Sequence, residues 1–469
     1  MKIMISLFLL TNLIVAKKVT FDEAINLTIT NNKELKAKEF ETKKAEQSLK
    51  EAKAYDYGRL DFAYNISRTN HAGYVFGMKL ASKEATFGDF GFGHFIDNMG
   101  GLMNPITASQ TKSDLLSYKP DQLNNPDARN NFEGKLTYDV PIYTGGKINT
   151  AKSMATLQIS AKKSLLEYDK KKIAIEVLKA YNGAVTAKNF ISMLQNSLKI
   201  TDRFVGTSQR LYNNQLARII DVKQSQMARQ TIRVKLQEAK AKFDVAIAYL
   251  KFLTDDKTIT DVSKLVFYDR DTSTYELLKV NAIESRDDYN YMKLNTKTMK
   301  KKIALDGASS YPTIGAHLEY GLNDNTPTVD TDKDYYLGAI GLRYTIFDGD
   351  INNINKQKAK IEYMKTKTYF DYMKSGIELE VNKYYLDFKA NKAQIPNKIK
   401  IENMAKDILR RTENVYNNNL NFRVNMMFLL MQFENLLKSQ ADLIKSKYDQ
   451  TILYGKLQIS SGKSLRSIK

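Results

Sequence analysis

Apolar and polar residues alternate in four stretches of the chain. The first places Leu60, Phe62, Tyr64 and Ile66 on one side, and the second Phe132, Leu136, Tyr138, Val140 and Ile142. The third carries Ile314, Ala316, Leu318, Tyr320 and Leu322, and the fourth Tyr336, Ile340, Leu342, Tyr344 and Ile346. Period two is the period of a β-strand, because successive side chains point to opposite faces. The pattern predicts strands at 60–68, 132–143, 313–322 and 335–347. Their other faces carry Asp61, Asn65, Glu133, Lys135, Thr137, Asp139, His317, Glu319 and Arg343. A run of about ten residues is the length of a tilted strand crossing a bilayer, and an apolar, tyrosine-rich face opposite a polar one fits lipid outside and water inside. The same alternation fits an ordinary sheet lying on a soluble core. Four strands cannot close a membrane barrel, which needs about eight, and open sheet edges are not tolerated in lipid. If the strands span a membrane, several chains share one barrel; three chains would supply about twelve strands.

After Gly146 the period changes to three and four. Ile173, Val177, Ala180, Ala184, Ala187, Ile191, Leu194, Leu198 and Val205 form a heptad-like seam broken at Thr201. A helix from about Lys147 to Tyr212 would be roughly 100 Å long at 1.5 Å per residue. It turns at 213–215 and returns from about Ile219 to Phe252, making a hairpin over 147–253. A mixed segment follows, then a helix predicted over 275–305. The second half repeats this plan. A shift of 204 residues lays Tyr143-Thr144-Gly145 on Phe347-Asp348-Gly349, Tyr212-Asn213-Asn214 on Tyr416-Asn417-Asn418, and Leu253 on Leu457, without a gap. One register held this far indicates an internal duplication. The expected organisation is a first repeat at 17–265, a second at 266–455 with its hairpin over 350–455, and a tail at 456–469. The repeats differ in the loop 69–131, rich in Gly, Asn and aromatic residues (ATFGDFGFGHF), for which the second repeat has only a short counterpart. Its plain reading is a packed cap over one barrel mouth; a recognition or plug role is the alternative.

Composition narrows the class. There is no cysteine, which excludes disulfides, thiolate metal sites and a lipid-anchor cysteine. His71, His94 and His317 show no metal-ligand spacing. Lys2, the apolar run 3–15 and the small residue Ala16 read as a signal peptide over 1–16, too short to span a bilayer as a helix. A buried N-terminal strand or helix is the other reading. The net charge is +20, and loss of Lys2 leaves +19. The lysines are spread along amphipathic segments rather than gathered in an arm, which favours solvated helix faces over a nucleic-acid partner. No serine elbow, P-loop or dinucleotide turn is present, so no enzymatic activity and no cofactor are expected. The run Met426-Met427-Phe428-Leu429-Leu430-Met431 could hold Cu(I) through thioethers. Methionine also fills helical seams, and packing is the preferred reading.

Several motifs resemble the TolC family of outer-membrane efflux channels. Val140-Pro141-Ile142-Tyr143-Thr144-Gly145-Gly146 is similar to the family's strand-to-helix junction, and Tyr311-Pro312-Thr313-Ile314 to the start of its third strand. Leu211-Tyr212 through Asp221-Val222 is similar to its helical-tip motif, and LNNP at 123–126 also looks familial. The resemblance implies an α+β membrane protein, a homotrimer sharing a twelve-stranded outer-membrane barrel, with hairpins forming a periplasmic α-helical barrel. It implies export to the outside for a pump complex, with a membrane-fusion adaptor and an inner-membrane pump of RND, MFS or ABC type as partners. The implied strand–helix junctions are Pro141, Gly145, Gly146, Asp348 and Gly349. The implied adaptor-contacting tips are Tyr212, Asn213, Asn214, Gln215, Leu216 and Ala217, with Tyr416, Asn417, Asn418, Asn419, Leu420 and Asn421. Asn425 and Phe428 stand where the family often has two inward aspartates, which implies a periplasmic gate closed by packing and polar contacts rather than charge. The tip glycine of the family is replaced by Gln215 and Asn419. Pro396 lies inside the long second-repeat helix and should bend it. Drugs, metal ions and polypeptides all remain open as cargo. The rival reading is a periplasmic coiled-coil scaffold or adhesin with an ordinary small sheet.

Overall fold

The computed structural model describes residues 17–265, 269–327, 330–418 and 424–465. The expected signal peptide, and the tip residues Asn419, Leu420 and Asn421, lie outside these. In chain order the elements are β1 (Lys17–Val19), α1 (Phe21–Asn31), α2 (Lys33–Ala54), β2 (Arg59–Thr69), α3 (Ala72–Ala81), α4 (Phe92–Leu102), α5 (Ala108–Ser117), α6 (Asp121–Asn124), β3 (Arg129–Thr144), α7 (Lys147–Asn213), α8 (Ile219–Thr254), β4 (Ile259–Val262), α9 (Tyr275–Ser285), α10 (Asp287–Gly307), β5 (Thr313–Asp324), β6 (Asp334–Arg343), α11 (Ile351–Asn417) and α12 (Met426–Ser460). They form two compact units, whose boundaries fall inside α2, α7, α10 and α11.

One unit comprises Gln47–Thr156 and Met299–Glu362 and is built on an antiparallel sheet of order β2-β3-β5-β6. Its register puts the predicted apolar positions on one face, except Ile142 in the β3 bulge and Tyr344 and Ile346 beyond β6: Leu60 opposes Tyr138, Leu136 opposes Tyr320, and Ala316 opposes Ile340. Among the described residues, no element packs over that face. Tyr336 is 88% exposed and Ile340 77%. The opposite face is a polar network. Glu319 accepts from the Tyr335 hydroxyl at 2.8 Å and pairs with Lys135 at 3.5 Å; Asn65 donates to Glu133 at 3.1 Å, and Asp139 meets His317 at 2.7 Å. This separation of faces is the reverse of a soluble sheet, whose apolar side would be buried.

The fourth strand is shorter than the alternation predicts. It ends at Arg343, which pairs with Thr313, the first residue of β5. Pro312 precedes Thr313, so Tyr344 and Ile346 have no ladder partner within the chain and leave the strand. The 69–131 loop is largely helical: α3 to α6 lie within it, at the sheet end opposite the α2 and α7 connections.

The other unit holds the hairpins and the β1–β4 parallel pair. The seam of α7 is buried at Ile173, Val177, Ala180, Ala184, Ala187 and Leu194 and half-buried at Ile191, Leu198 and Val205, with Val177, Tyr181 and Ala184 fully enclosed. Thr201 stays in the seam despite its hydroxyl, because that hydroxyl donates to the Leu198 carbonyl at 2.9 Å. Leu178, Leu250, Phe388 and Leu457 join one core cluster, and Phe204, Leu211, Phe433 and Met426 a second. Each such fully buried side chain contributes about 1.5–3 kcal/mol. The Tyr181 hydroxyl donates to the carbonyls of Val19 and Ser263, both at 3.0 Å, tying α7 to the β1–β4 pair. The duplication is structural: α7 and α11 are each 67 residues long, and their ends are 204 residues apart. Helix α11 continues through Pro396.

The helix predicted over 275–305 is two helices. Arg286 has extended backbone, φ −77° and ψ 127°, and separates α9 from α10. The break lets its buried guanidinium reach Asp288 at 2.7 Å, Glu380 of α11 at 2.6 Å and the Ser460 carbonyl at 3.3 Å. Burial alone would lower its pKa, but those two carboxylates raise it instead. The expected tail at 456–469 begins inside α12, which runs to Ser460 and keeps Leu457 and Leu465 buried.

Candidate functional site

The two strand–helix junctions share one backbone solution. Gly145 and Gly146 take φ +63° and +81°, and their counterparts 204 residues on, Gly349 and Asp350, take +67° each. Two successive left-handed residues turn the chain into a helix, a conformation that costs an L-residue about 1–2 kcal/mol and glycine little. Each junction also caps its helix from the same place. Thr144 Oγ1 accepts from the Ile148 amide at 3.4 Å, and Asp348 Oδ2 from the Asn352 amide at 2.9 Å. The surroundings differ. A Cβ on Gly145 would lie 2.5 Å from the Ala308 carbonyl oxygen, whereas one on Gly349 would meet nothing within 4 Å. Pro141 marks a bulge in β3, where the pairing with β5 slips between Pro141 and Tyr143.

At the end of the first hairpin, α7 closes in a Schellman turn. The Leu216 amide donates to the Leu211 carbonyl at 2.8 Å and the Gln215 amide to the Tyr212 carbonyl at 2.9 Å. Gln215 occupies the left-handed position with φ +62°, where glycine is the usual residue. Tyr212, Asn213, Asn214, Gln215 and Leu216 are exposed and Ala217 is half-buried. Ile219 and Ile220 continue the exposed apolar patch begun by Leu216. A buried hydrogen bond at 2.8 Å between the Ser208 and Ser225 hydroxyls holds α7 to α8.

At the second hairpin, Asn417 is half-buried and Asn418 exposed. Tyr416, expected at the surface, is buried, so its ring is unavailable to a docking partner. It packs with Leu409, Met426 and Leu429 because its position on α11 falls on the seam. Asn425 and Phe428 are brought together, but in a helix cap: Asn425 Oδ1 accepts from the Phe428 amide at 2.9 Å. The methionine run divides. Met426 is fully buried, while Met427, Phe428 and Met431 share an exposed face.

Sequence reasoning missed how the two hairpins are joined near these ends. Arg203 of α7 makes a two-pronged pair with Glu413 of α11 at 3.0 and 3.1 Å. Asp221, buried at the start of α8, accepts from the Arg218 amide at 3.0 Å through one oxygen. Its other oxygen and the buried Tyr416 hydroxyl have no hydrogen-bond partner. Burial, and secondarily the Asp221 charge, push the Tyr416 phenol up to about 12. The signal lay in the Asp221-Val222 and Tyr416 landmarks, but nothing in the local sequence says they are neighbours.

The contacts at these ends are apolar packing, hydrogen bonds and the Arg203–Glu413 ion pair. Among the described residues no group of three His, Asp or Glu side chains is placed to hold a metal ion. No described helix is long and apolar enough to cross a membrane, which says nothing of a β-barrel.

No protein-family profile and no curated protein matches the chain. Solved structures do. CusC, studied for its folding and transmembrane channel formation, matches with a TM-score of 0.76 at 11% identity, over 95% of this chain and 92% of that one. The outer-membrane protein VceC of Vibrio cholerae matches at 0.74 and 15%, over 95% and 96%. The open state of the MtrE outer-membrane channel of Neisseria gonorrhoeae matches at 0.72 and 11%, over 95% and 89%. At these identities the shared property is the fold.

Proposed function

We propose that this chain, which has the fold of TolC-like outer-membrane channels, assembles as a homotrimer and exports substrates across the outer membrane. One observation carries the reading. The sheet has an uncovered apolar face, a networked polar face and two strands, β2 and β6, each paired on one side only. Lipid forbids unpaired edges, so the β6 edge of one copy pairs with the β2 edge of the next. Three copies then close a barrel of about twelve strands with the polar network lining water. The hairpins supply a periplasmic helical conduit whose ends form the gate.

The gate is assigned to the ends of the hairpins, with Asn425 and Phe428 on the narrow side and the Arg203–Glu413 pair holding the hairpins of one chain together. Leu216, Ile219 and Ile220 offer an exposed apolar contact for the helical adaptor that couples the channel to an inner-membrane pump. Fractionation tests the reading: the protein should be recovered in the outer membrane as an SDS-resistant trimer that falls to monomer only on heating. A soluble periplasmic monomer would sink it and leave the coiled-coil scaffold.

A further inference from the structure

The segment 70–128 is a helical excursion whose strongest feature is an inverted helix. In α4, His94, Asn98 and Gly101 are half-buried, His94 stacking on Tyr118 with ring centroids 3.9 Å apart. Its exposed stripe is Phe92, Phe95, Ile96 and Met99, continued by Met103. These follow i, i+3, i+4, i+7, i+11, the spacing of a packed helix face. Phe87 and Phe95 each lie 5.5 Å from Phe92, extending the stripe as an aromatic row.

Two observations say what covers it. The first is where the excursion is fastened. Arg129 lies on the polar face of β3, opposite Thr69 and in step with Asn131 and Glu133. It pairs with Glu84 and donates to Ser82 Oγ at 2.9 Å, and Lys333 binds Glu84 at 2.6 Å and Asp324 at 2.9 Å. Arg129 thus anchors the excursion from the side that faces water in the proposed barrel, at the sheet end away from the junctions, while Lys333 and Lys83 tie it to Asp324 and Asp334 at the strand ends in the rows of Phe132 and Leu322. The second is charge. Between Phe87 and Thr111 there is no lysine or arginine, and only Asp89 and Asp97 are acidic. Helices that lie on membrane surfaces carry basic residues for the anionic headgroups; this stripe has none. A second copy of itself suits it better.

Resting on the trimeric channel reading, we infer that residues 70–128 form a cap over the outer mouth, held shut by the α4 stripes of the three copies packing on one another. Because the chain has no cysteine, Ile96→Cys introduces one thiol per copy, and Met103→Cys serves as a second site should the first disturb folding. In purified trimers in planar bilayers, oxidation should move up to two of every three chains into a covalent dimer band, since three thiols form one disulfide, and lower the conductance, with recovery on reduction. Conducting trimers that fail to cross-link at both positions overturn the cap and leave the channel reading intact. Cross-linking without a change in conductance also overturns the cap, as does quenching of a fluorophore at position 96 by spin-labelled lipid. A chain that forms no trimer overturns both readings.

Discussion

Gly145 and Gly349 hold nearly the same positive φ in the two copies of one joint, yet they are not equally replaceable. At Gly145 a side chain meets both the left-handed penalty and a carbonyl oxygen 2.5 Å away; at Gly349 it meets the penalty alone. Gly145→Ala should cost about 3 kcal/mol and Gly349→Ala about 1 kcal/mol, from the left-handed cost plus overpacking in the first case. Thermal dissociation of purified trimers checks this; equal drops in midpoint would contradict the packing difference. The glycine pair itself was legible, because a strand that must become a helix within two residues needs such backbone freedom. That Asp350 takes the second left-handed position was not, since aspartate is seldom chosen there and only the 204-residue alignment points to it. Tyr416 was misplaced for a related reason. Its neighbours in sequence are polar and turn-like, but burial is decided by the seam on which its helical position falls.

The hairpins were readable as elements because their apolar residues keep a period of three and four over long distances. Their ends were less so. The gate reading rests on Asn425 and Phe428, and the structure gives Asn425 a second occupation as a cap, worth about 1 kcal/mol to the start of α12. Replacing both with alanine should raise single-channel conductance of closed trimers severalfold. Unchanged conductance would remove these residues from the gate and leave only the cap.

The excursion 70–128 makes a prediction in pH. Burial would raise the Glu84 pKa, but hydrogen bonds from Lys333 and Arg129 outweigh this and hold it lowered. Asp89 is held low chiefly by its hydrogen bond from Lys79, and Lys333 is raised chiefly by its bond to Glu84. A lowered carboxylate contributes fully above its unfolded value near about 4, and the contribution is lost as pH falls through the folded value. The raised lysine contributes fully below about 10.4 and is lost as pH rises through its folded value. Hydrogen exchange in 72–124 should therefore be slowest between about pH 5 and 9, after correction for intrinsic rates, and should accelerate below pH 4 while the strands stay protected. Strands and excursion loosening together would contradict it. The helices of this segment were invisible to pattern reading because α4 half-covers its small and polar side and exposes most of its apolar one.

At the scale of the molecule, four strands of period two and a repeat of 204 residues were enough to expect a shared barrel and paired hairpins. What could not be read was wherever a distant partner sets the boundary. The fourth strand stops at Arg343 because β5 begins at Thr313, and the helix near 286 breaks because Arg286 is drawn to Glu380 and Ser460. The charge of +20 changes none of this, since the lysines decorate solvated faces. The central claim is that β6 of one copy pairs with β2 of another. Ala63 and Ala339 both lie on the polar face, in β2 and β6; within one chain they are three strand spacings apart across the sheet and four residues apart along it, because Ala63 shares the row of Lys135, Gly321 and Tyr335, about 19 Å in all. In the cysteine-free chain, Ala63→Cys combined with Ala339→Cys and treated with a short bifunctional thiol reagent should give an SDS ladder that ends at three chains. A single monomer band, or a ladder that runs past three, would contradict the shared barrel.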